Sequence, residues 1–347
     1  MTVNQRRPAR LATAGAIAFA CLLAVCHPAA ARADDGGSLL QLYQPVTVMD
    51  GAELFAPTTV ESFVGDADLE TQTAPGVWQV VDATPSAGRL PARPTAACTE
   101  QSLSPCYRLD QPGCTLADGP AALGCFQAAW QDPQPQSVVY GRAVQRGNAT
   151  VLQYWFFYYD DLYSYNYPPD ALFWQAHEGD WEMVTVLVRN GQPQTVGYSQ
   201  HCTGERRPWS KVERWQGTTH PVVYVASGSH ANLFAPGEHP IATACIPPQA
   251  IALLQQAGLP MPADHAHPAS TVYGPAGLDG VTPTAITPVT TSSPRFMRFE
   301  GIWGEDQLFH APAPIGTVAQ GTSPFTPSRT DGWKHPMRTL FGWPRVF

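Results

Sequence analysis

Runs of β-branched and aromatic residues recur along this chain from residue 151 onward, separated by turn-forming residues. Segment 151–159 (VLQYWFFYY) predicts a buried strand, and 183–188 (MVTVLV) predicts another. The dipeptide NG at 190–191 predicts a hairpin turn, followed by a returning strand at 195–201. Short strands at this spacing predict a mainly β chain folded as a β-sandwich.

The remaining segments contain fewer regular elements. Residues 221–232 predict a strand that ends in a tight glycine turn, and 295–304 predict a further short strand. Residues 246–258 have an amphipathic helical pattern that stops at Gly258. Because 35 of the 347 residues are proline, we expect long Pro-rich loops and few short helices.

Residues 1–33 have the three-part layout of a cleavable export signal. Three arginines in the first ten residues precede an apolar stretch at 11–25, and the sequence ARA at 31–33 is a small-x-small cleavage site. The apolar stretch is shorter than the roughly 20 residues that span a bilayer. The sequence therefore predicts a secreted protein whose mature chain has no transmembrane span. A lipoprotein signal ending at Cys26 is the alternative, and Val25 fits it poorly.

The charge balance excludes one class of partner. The full chain has 20 basic and 28 acidic residues, and the predicted signal contains four arginines and no acid. The mature chain is therefore strongly acidic, whereas nucleic-acid binding needs a basic patch. The mature chain also lacks a polybasic segment for anionic lipid. We expect no nucleic-acid partner.

Six cysteines remain after the predicted signal, and four of them lie within 65–150. An even number of cysteines in an exported chain predicts disulfides, and the absence of any CxxC pair disfavours a thiolate metal site. We expect 34–347 to form one domain with a disulfide-stapled insertion at about 65–150. Short spacing favours the pairs Cys98–Cys106, Cys114–Cys125 and, by remainder, Cys202–Cys245.

Acidic residues flank a tryptophan in the segment HEGDWE, 177–182. Side chains alternate along a strand, so Asp180 and Glu182 should share one face about 7 Å apart. We expect His177 to reach the same point from the turn before the strand, and Asp160 or Asp161 to add an oxygen. Such a set suits Ca²⁺, Mg²⁺ or Mn²⁺ better than Zn²⁺. The structural alternative pairs the two carboxylates with Arg295 and Arg298.

Two further groups of residues are candidates for chemistry. His201 and His230 could act as a general base or as supporting groups if the protein is an enzyme. A nucleophilic role for Ser229 is disfavoured, because no GxSxG elbow is present. Tyr163, Tyr165 and Tyr167 alternate with polar residues in DLYSYNY, 161–167, which predicts an exposed aromatic rim for stacking on sugars or for peripheral membrane contact.

Several segments resemble the vacuolar protein sorting-associated protein 62 family, and they occur in matching order over about 39–64 and 150–337. Residues 65–150 depart from that family, whose name reflects a sorting phenotype in yeast and does not make this exported chain a sorting factor. The segments are YQPVTVMDGAELFAPTTVESF, QYWFFYY, HEGDWEMVTV, YSQHCTGE, HPVVYVASGSHANLF, FEGIWGED and GWKHP.

HEGDWE more distantly resembles GHRHDWE, the hallmark of the necrosis- and ethylene-inducing peptide-like proteins, which are secreted β-sandwich cytolysins. The resemblance implies a divalent-cation site formed by Asp160, which ends the preceding aromatic strand, with His177, Asp180 and Glu182. It does not imply that family's membrane target, because the shared segment is short.

Three functions follow from these features. The first hypothesis is a secreted protein that uses a divalent cation to bind a glycan or a lipid headgroup at a cell surface. The second is a metal-assisted hydrolase in which the cation activates water and His201 or His230 is the base. The third is a structural exported protein whose polar motif stabilises the fold.

Overall fold

Strands form most of the regular structure of this protein. A computed structural model describes residues 35–92, 107–131, 136–167, 171–313, 315–319 and 321–341. The strands are β1 (Val46–Asp50), β2 (Asp68–Ala74), β3 (Val77–Asp82), β4 (Tyr107–Asp110), β5 (Val138–Arg146), β6 (Ala149–Tyr167), β7 (Ala171–Arg189), β8 (Gln192–Gln200), β9 (Thr203–Pro208), β10 (Val222–Val225), β11 (Asn232–Leu233), β12 (Gly237–Pro240), β13 (Ala263–Ala266), β14 (Pro268–Gly274), β15 (Thr282–Pro283), β16 (Ala285–Pro288), β17 (Leu308–Ala311) and β18 (Gly316–Ala319).

The helices are short and lie outside the central strands. The predicted signal and the predicted Cys98–Cys106 pair fall outside the described residues. Within those residues, no helix is long and apolar enough to cross a membrane. The α-helices are α1 (Asp35–Leu42), α2 (Val60–Asp66), α3 (Leu123–Trp130), α4 (Pro248–Ala257), α5 (Asp331–Lys334) and α6 (Arg338–Phe341).

A long antiparallel hairpin is the centre of the fold. Strands β6 and β7 have 19 residues each and pair from Ala149 opposite Arg189 to Tyr167 opposite Ala171. They lie within an eight-stranded sheet in the order β16-β5-β6-β7-β17-β18. Strand β8 pairs with the carboxyl-terminal half of β7, and β9 pairs with β8. The tight turn between β7 and β8 has Asn190 and Gly191 at positive φ, as NG predicts.

A second sheet covers one face of this hairpin, which confirms the predicted mainly β, sandwich-like fold. The five-stranded sheet runs β11-β10-β1-β14-β15. Side chains alternate along its strands, so one face points inward and the other points outward. The buried side chains between the sheets include Met49, Val223 and Val225 from the smaller sheet and Tyr154, Phe156 and Val184 from the larger.

The opposite face of the hairpin is also buried. Trp155, Phe157 and Trp181 contact a core that includes residues from α2, α3 and the three-stranded sheet β3-β2-β4. A strand buried on both faces has no polar alternation, which explains the unbroken apolar run in β6. Segment 65–150 contributes much of this cover, but its last strand, β5, pairs with β6 in the main sheet.

Two local predictions have different outcomes. Helix α4 is confirmed and ends at Gly258, which has a left-handed conformation (φ 66°). The strand predicted at 295–304 is wrong, because Arg295–Arg298 form a 3₁₀ turn. Phe296 and Phe299 enter the same core, whereas residues three apart in a strand would point to opposite faces.

Both disulfides that fall within the described residues confirm the sequence prediction. Cys114 bonds to Cys125 across 11 residues, and Cys202 bonds to Cys245 across 43 residues. The second bond joins the turn after β8 to the segment that leads into α4. Disulfides of this kind are typical of oxidising compartments.

Candidate functional site

A change of side-chain direction within β7 builds the candidate site. Gly179 has a positive φ of 52°, and the pairing register runs from Tyr158 opposite Asp180 to Asp160 opposite Glu178 without a Tyr159–Gly179 pair. His177 is therefore in the strand, not in a preceding turn as the sequence predicts. It reaches the same side as Asp180, while Glu178 points toward Asp110 and Glu305.

Asp161, His177 and Asp180 form a candidate cation site on the central hairpin. Each offers one ligand atom, and these atoms lie within 4.8 Å of one another. Asp161 and Asp180 are buried, and His177 is half-buried. The pKa of Asp161 is raised to about 6: burial is the main cause, His177 opposes the rise and the Asp180 carboxylate adds to it. The two carboxylates therefore repel each other at this point unless a positive group lies between them.

The orientation of the His177 ring suits a metal ligand. Its Nδ1 lies 2.8 Å from the carbonyl oxygen of Gly179, so Nδ1–H donates there when that nitrogen carries the proton. The Nε2 lone pair then faces Oδ2 of Asp161, 3.5 Å away. A backbone carbonyl that fixes the tautomer of a histidine is a common support for metal ligands.

The structure places Asp160 differently from the sequence prediction. Asp161, not Asp160, has its oxygen beside His177 and Asp180. Asp160 lines a separate cleft with Glu53 and Gly228, and neither of its carboxyl oxygens has a hydrogen-bond partner among the described residues. Burial raises the pKa of Asp160 well above its ordinary value.

Glu182 shares a face with Asp180, as predicted, but it belongs to a hydrogen-bond network. The Ser199 hydroxyl donates to its carboxylate, and Asn232 Nδ2 donates to the same oxygen at 3.2 Å. Burial and the Asp180 carboxylate raise the pKa of Glu182 well above its ordinary value. Among the described residues, neither Arg295 nor Arg298 forms an ion pair with Asp180 or Glu182, so the predicted structural pairing is absent there.

His230 supports the site from inside the protein. It is fully buried, has a positive φ of 50°, and stacks on Tyr158 with ring centroids 3.9 Å apart. Its Nδ1 lies 3.2 Å from Asp180 Oδ2, and its Nε2 lies 3.4 Å from Glu53 Oε1. Burial by itself lowers the pKa of His230, but Glu53 and Asp180 outweigh it and raise the pKa well above the ordinary value.

His201 lies at the edge of the site as the partner of Asp264. Its Nε2 is 2.9 Å from Asp264 Oδ2, and the Ser229 hydroxyl donates to Oδ1 of the same carboxylate at 2.7 Å. Burial lowers the pKa of His201, but the Asp264 carboxylate raises it more, to about 9. Ser229 therefore bonds to a carboxylate and has no base, which agrees with its disfavoured role as a nucleophile.

An open cleft connects these groups to solvent. Its volume is about 610 Å³, large enough for a sugar or a headgroup, and the disulfide Cys202–Cys245 forms part of its wall. The opposite wall comes from the carboxyl-terminal segment. The polar or charged residues along the cleft include Asp161, His177, Asp180, His201, Gln307 and Arg329.

The predicted tyrosine rim is less exposed than the sequence suggests. Tyr163 is only 8% exposed, and its hydroxyl donates to the Ala263 carbonyl at 2.9 Å. Tyr165 is half-buried and stacks on His265 with centroids 5.7 Å apart. The side chain of Tyr167 lies outside the described residues. The expectation of surface exposure is therefore wrong for Tyr163, because it packs in a buried cluster with Phe173 and Ile241.

A second group of carboxylates lies on the other side of the sheet. Asp110, Glu178 and Glu305 have oxygens within 4.8 Å of one another. Arg108 lies within 3.9 Å of Asp110 and 3.5 Å of Glu305. The backbone N–H groups of Gln111 and Glu305 donate to Glu178. An arginine and backbone donors thus already compensate this group.

Glu53 and Asp264 are site residues that the sequence does not reveal. Glu53 comes from the segment after β1 and accepts from the backbone N–H of Gly228 at 2.6 Å. Asp264 comes from β13. Neither residue stands in a motif with His201 or His230, and only the chain fold brings them together.

Comparison with known proteins agrees with both sequence resemblances. A family model described as necrosis inducing protein (NPP1) matches residues 112–266, a range that contains Asp161, His177 and Asp180. The Saccharomyces cerevisiae protein TDA6 is 30% identical over 115 residues, covering 28% of this chain and 24% of that protein. Vacuolar protein sorting-associated protein 62 of the same yeast is 27% identical over 111 residues, covering 28% and 23%.

These similarities are distant and partial. The chain spans about a quarter of the length of the yeast relatives it matches. A crystal structure of the non-toxic HaNLP3 protein aligns with 14% identity over 52% of this chain and 59% of that chain, with a TM-score of 0.26. The family-model match and the two yeast relatives are the findings that agree with the sequence motifs.

Proposed function

We propose that this protein is secreted and uses a divalent cation, held by Asp161, His177 and Asp180, to bind a glycan or a lipid headgroup at a cell surface. One observation supports this above the others. The ligand atoms of these three residues lie within 4.8 Å of one another beside a solvent-open cleft. A hard cation with two carboxylates keeps coordination positions for hydroxyl or phosphate oxygens of a ligand.

The donor set fits Ca²⁺, Mg²⁺ or Mn²⁺. Two buried carboxylates with one imidazole supply mainly oxygen ligands, whereas zinc sites usually add nitrogen or sulfur. The raised pKa of Asp161 reflects burial and repulsion by Asp180, and a cation between the two carboxylates would relieve that repulsion. His177 would contribute Nε2, because Nδ1 is directed at the Gly179 carbonyl.

The proposed function agrees with a location outside the cytoplasm. The two disulfides favour an oxidising compartment, and the match to the necrosis inducing protein model favours an extracellular one. The similarity to vacuolar protein sorting-associated protein 62 would also suit a vacuolar location. Both locations agree with a protein that meets membranes or glycans from the non-cytoplasmic side.

The hydrolase hypothesis has weaker support than binding. His201 has a pKa of about 9 and so carries a proton at neutral pH, which makes it a poor general base. His230 is fully buried and faces Asp180 and Glu53, so it has no direct path to a ligand in the cleft. We therefore place binding ahead of turnover.

Elemental analysis of the mature secreted protein tests the cation site directly. We expect about one divalent ion per chain after dialysis against Ca²⁺, Mg²⁺ or Mn²⁺, and loss of that ion in Asp161→Asn and Asp180→Asn. Asp118→Asn, at an exposed position, is the matched control. A well-folded protein that takes up none of these ions would overturn the proposal.

Cosedimentation with vesicles and a glycan array, each with and without chelator, test the ligand. The proposal expects association that chelator and Asp180→Asn both abolish. A purely structural role predicts something else: Asp180→Asn would lower the melting temperature even in chelator and change no association. Turnover of an ester or phosphodiester substrate would instead favour the hydrolase.

A further inference from the structure

A groove on the outer face of the five-stranded sheet lies apart from the candidate cation site. Its volume is about 560 Å³, and it shares no lining residue with the cleft described above. Its floor is apolar because strand alternation turns Val48 and Val222 outward, while Met49 and Val223 point into the sandwich. Val272 of β14 completes this floor.

One aromatic side chain lies at the edge of the floor, on a backbone turn that hydrogen bonds hold in place. Trp215 packs against the valines, and the next two residues, Gln216 and Gly217, form a turn at positive φ. The backbone N–H of Trp215 donates to the His220 carbonyl. The Trp215 carbonyl accepts from both the backbone N–H and the hydroxyl of Thr218. A backbone that is fixed in advance lowers the entropy cost when a ligand stacks on the ring it carries.

The rim of the groove is polar and acidic. Glu213, Gln216 and Asp279 are exposed, and the Tyr224 hydroxyl donates to Glu213 Oε2 at 3.0 Å. Trp215 Nε1 has no hydrogen-bond partner among the described residues, although it is shielded from solvent. A carboxylate can accept from neighbouring hydroxyls of one ring, and an amide can both accept from them and donate to them.

The charges on this rim favour neutral or basic ligands over anionic ones. The described residues that line the groove include two carboxylates and no lysine, arginine or histidine. An anionic ligand such as a phosphate, a uronate or a sulfated sugar would therefore be repelled. A ring with an apolar face and several hydroxyls matches the indole, the valine floor and the hydrogen-bonding rim.

We propose that this groove is a carbohydrate-binding site, independent of the candidate cation, that accepts neutral or amino-substituted sugars and rejects anionic ones. Trp215 stacks on the apolar face of a sugar ring, and Glu213, Gln216 and Asp279 bond its hydroxyl or amino groups. The site goes beyond the proposed function, because it would tether the protein to a glycan while the cation site engages its own ligand.

Isothermal titration of the full secreted protein tests this proposal. The probes are cellohexaose, chitohexaose, a glucosamine hexamer, hexagalacturonate and hexalysine, each with and without chelator. We expect at least one of the first three to bind, with no effect of chelator and at least tenfold weaker binding to hexagalacturonate. Binding of hexalysine alone would identify a basic-peptide site and overturn the proposal, as would no binding of any sugar.

Substitutions locate the binding in the groove. Trp215→Ala should weaken sugar binding at least tenfold. Trp78 is a partly exposed tryptophan on β3, and Trp78→Ala should leave the affinity for the sugar unchanged. The double variant Glu213→Gln with Asp279→Asn changes exposed side chains only, so it keeps the fold. Of the sugars tested, the glucosamine hexamer should lose the most affinity in this variant. Unchanged affinity in both groove variants would overturn the proposal. Asp180→Asn should keep this affinity, which separates failure here from failure of the cation site.

Discussion

Nδ1 of His230 lies 3.2 Å from Oδ2 of Asp180, in a place where the histidine has no exposure to solvent. Glu53 lies on the other side of the same ring, at 3.4 Å from Nε2. A protonated imidazole between two buried carboxylates compensates both of them. The candidate cation site therefore depends on a residue that does not line its cleft.

Replacing His230 should destabilise the whole fold. His230→Ala leaves Asp180 and Glu53 buried without their counter-charge and removes a ring that stacks on Tyr158. We expect a loss of about 3–5 kcal/mol in the free energy of unfolding, measured by urea denaturation at pH 7. His267→Ala, where the side chain is 65% exposed, should cost less than about 0.5 kcal/mol. Equal effects of the two variants would contradict the role of His230.

Two neighbouring aspartates should differ in their effect on cation binding. Asp161→Asn removes a ligand oxygen and should weaken Mn²⁺ or Ca²⁺ binding at least tenfold in a calorimetric titration. Asp160→Asn should leave the affinity within about twofold, because Asp160 lines a separate cleft and the amide has nearly the same shape as the carboxyl group. A larger loss of cation affinity in Asp160→Asn than in Asp161→Asn would show that Asp160 is a ligand, as the family resemblance implies.

The pair of His201 and Asp264 should make stability depend on pH. The pKa of His201 is about 9 in the folded protein, above the ordinary value of about 6.5, so folding favours the protonated form. The stabilisation is complete below about pH 6.5 and is lost as the pH rises through about 9. His201→Gln should cost about 2 kcal/mol at pH 6 and much less at pH 10, measured by denaturant titration at each pH. A cost that does not change with pH would show that His201 acts through shape alone.

Gly179 should tolerate no side chain. A Cβ there would lie 2.6 Å from the Trp303 carbonyl oxygen, and its φ of 52° disfavours other residues. Gly179→Ala should cost about 3 kcal/mol or more in the free energy of unfolding and should weaken cation binding, because the face change in β7 depends on this residue. Gly191→Ala is the matched control, since Gly191 also has a positive φ but nothing lies within 4 Å of its Cβ position. We expect it to cost about 1 kcal/mol in the same urea titration.

Local patterns determined a large part of this structure. The apolar run in β6 and the NG turn after β7 predict the central hairpin, because burial on both faces and positive φ are demands on adjacent residues. Cysteine spacing predicts both described disulfides, and Gly258 predicts the end of α4. Strand alternation correctly places Asp180 and Glu182 on one face.

Tertiary structure decided how the site is assembled. Whether Asp160 or Asp161 meets His177 depends on the face change at Gly179, which is set by its close approach to Trp303 from a distant segment. Glu53, Asp264 and His230 come together across strands that are far apart in the chain, so no spacing rule reveals them. Carboxylates raise the pKa of His201 and His230 against the effect of burial, and these groups approach the histidines only once the sheets have packed. The sequence determines the strands of the central hairpin and the side chains they carry, whereas long-range contacts decide which of those side chains meet.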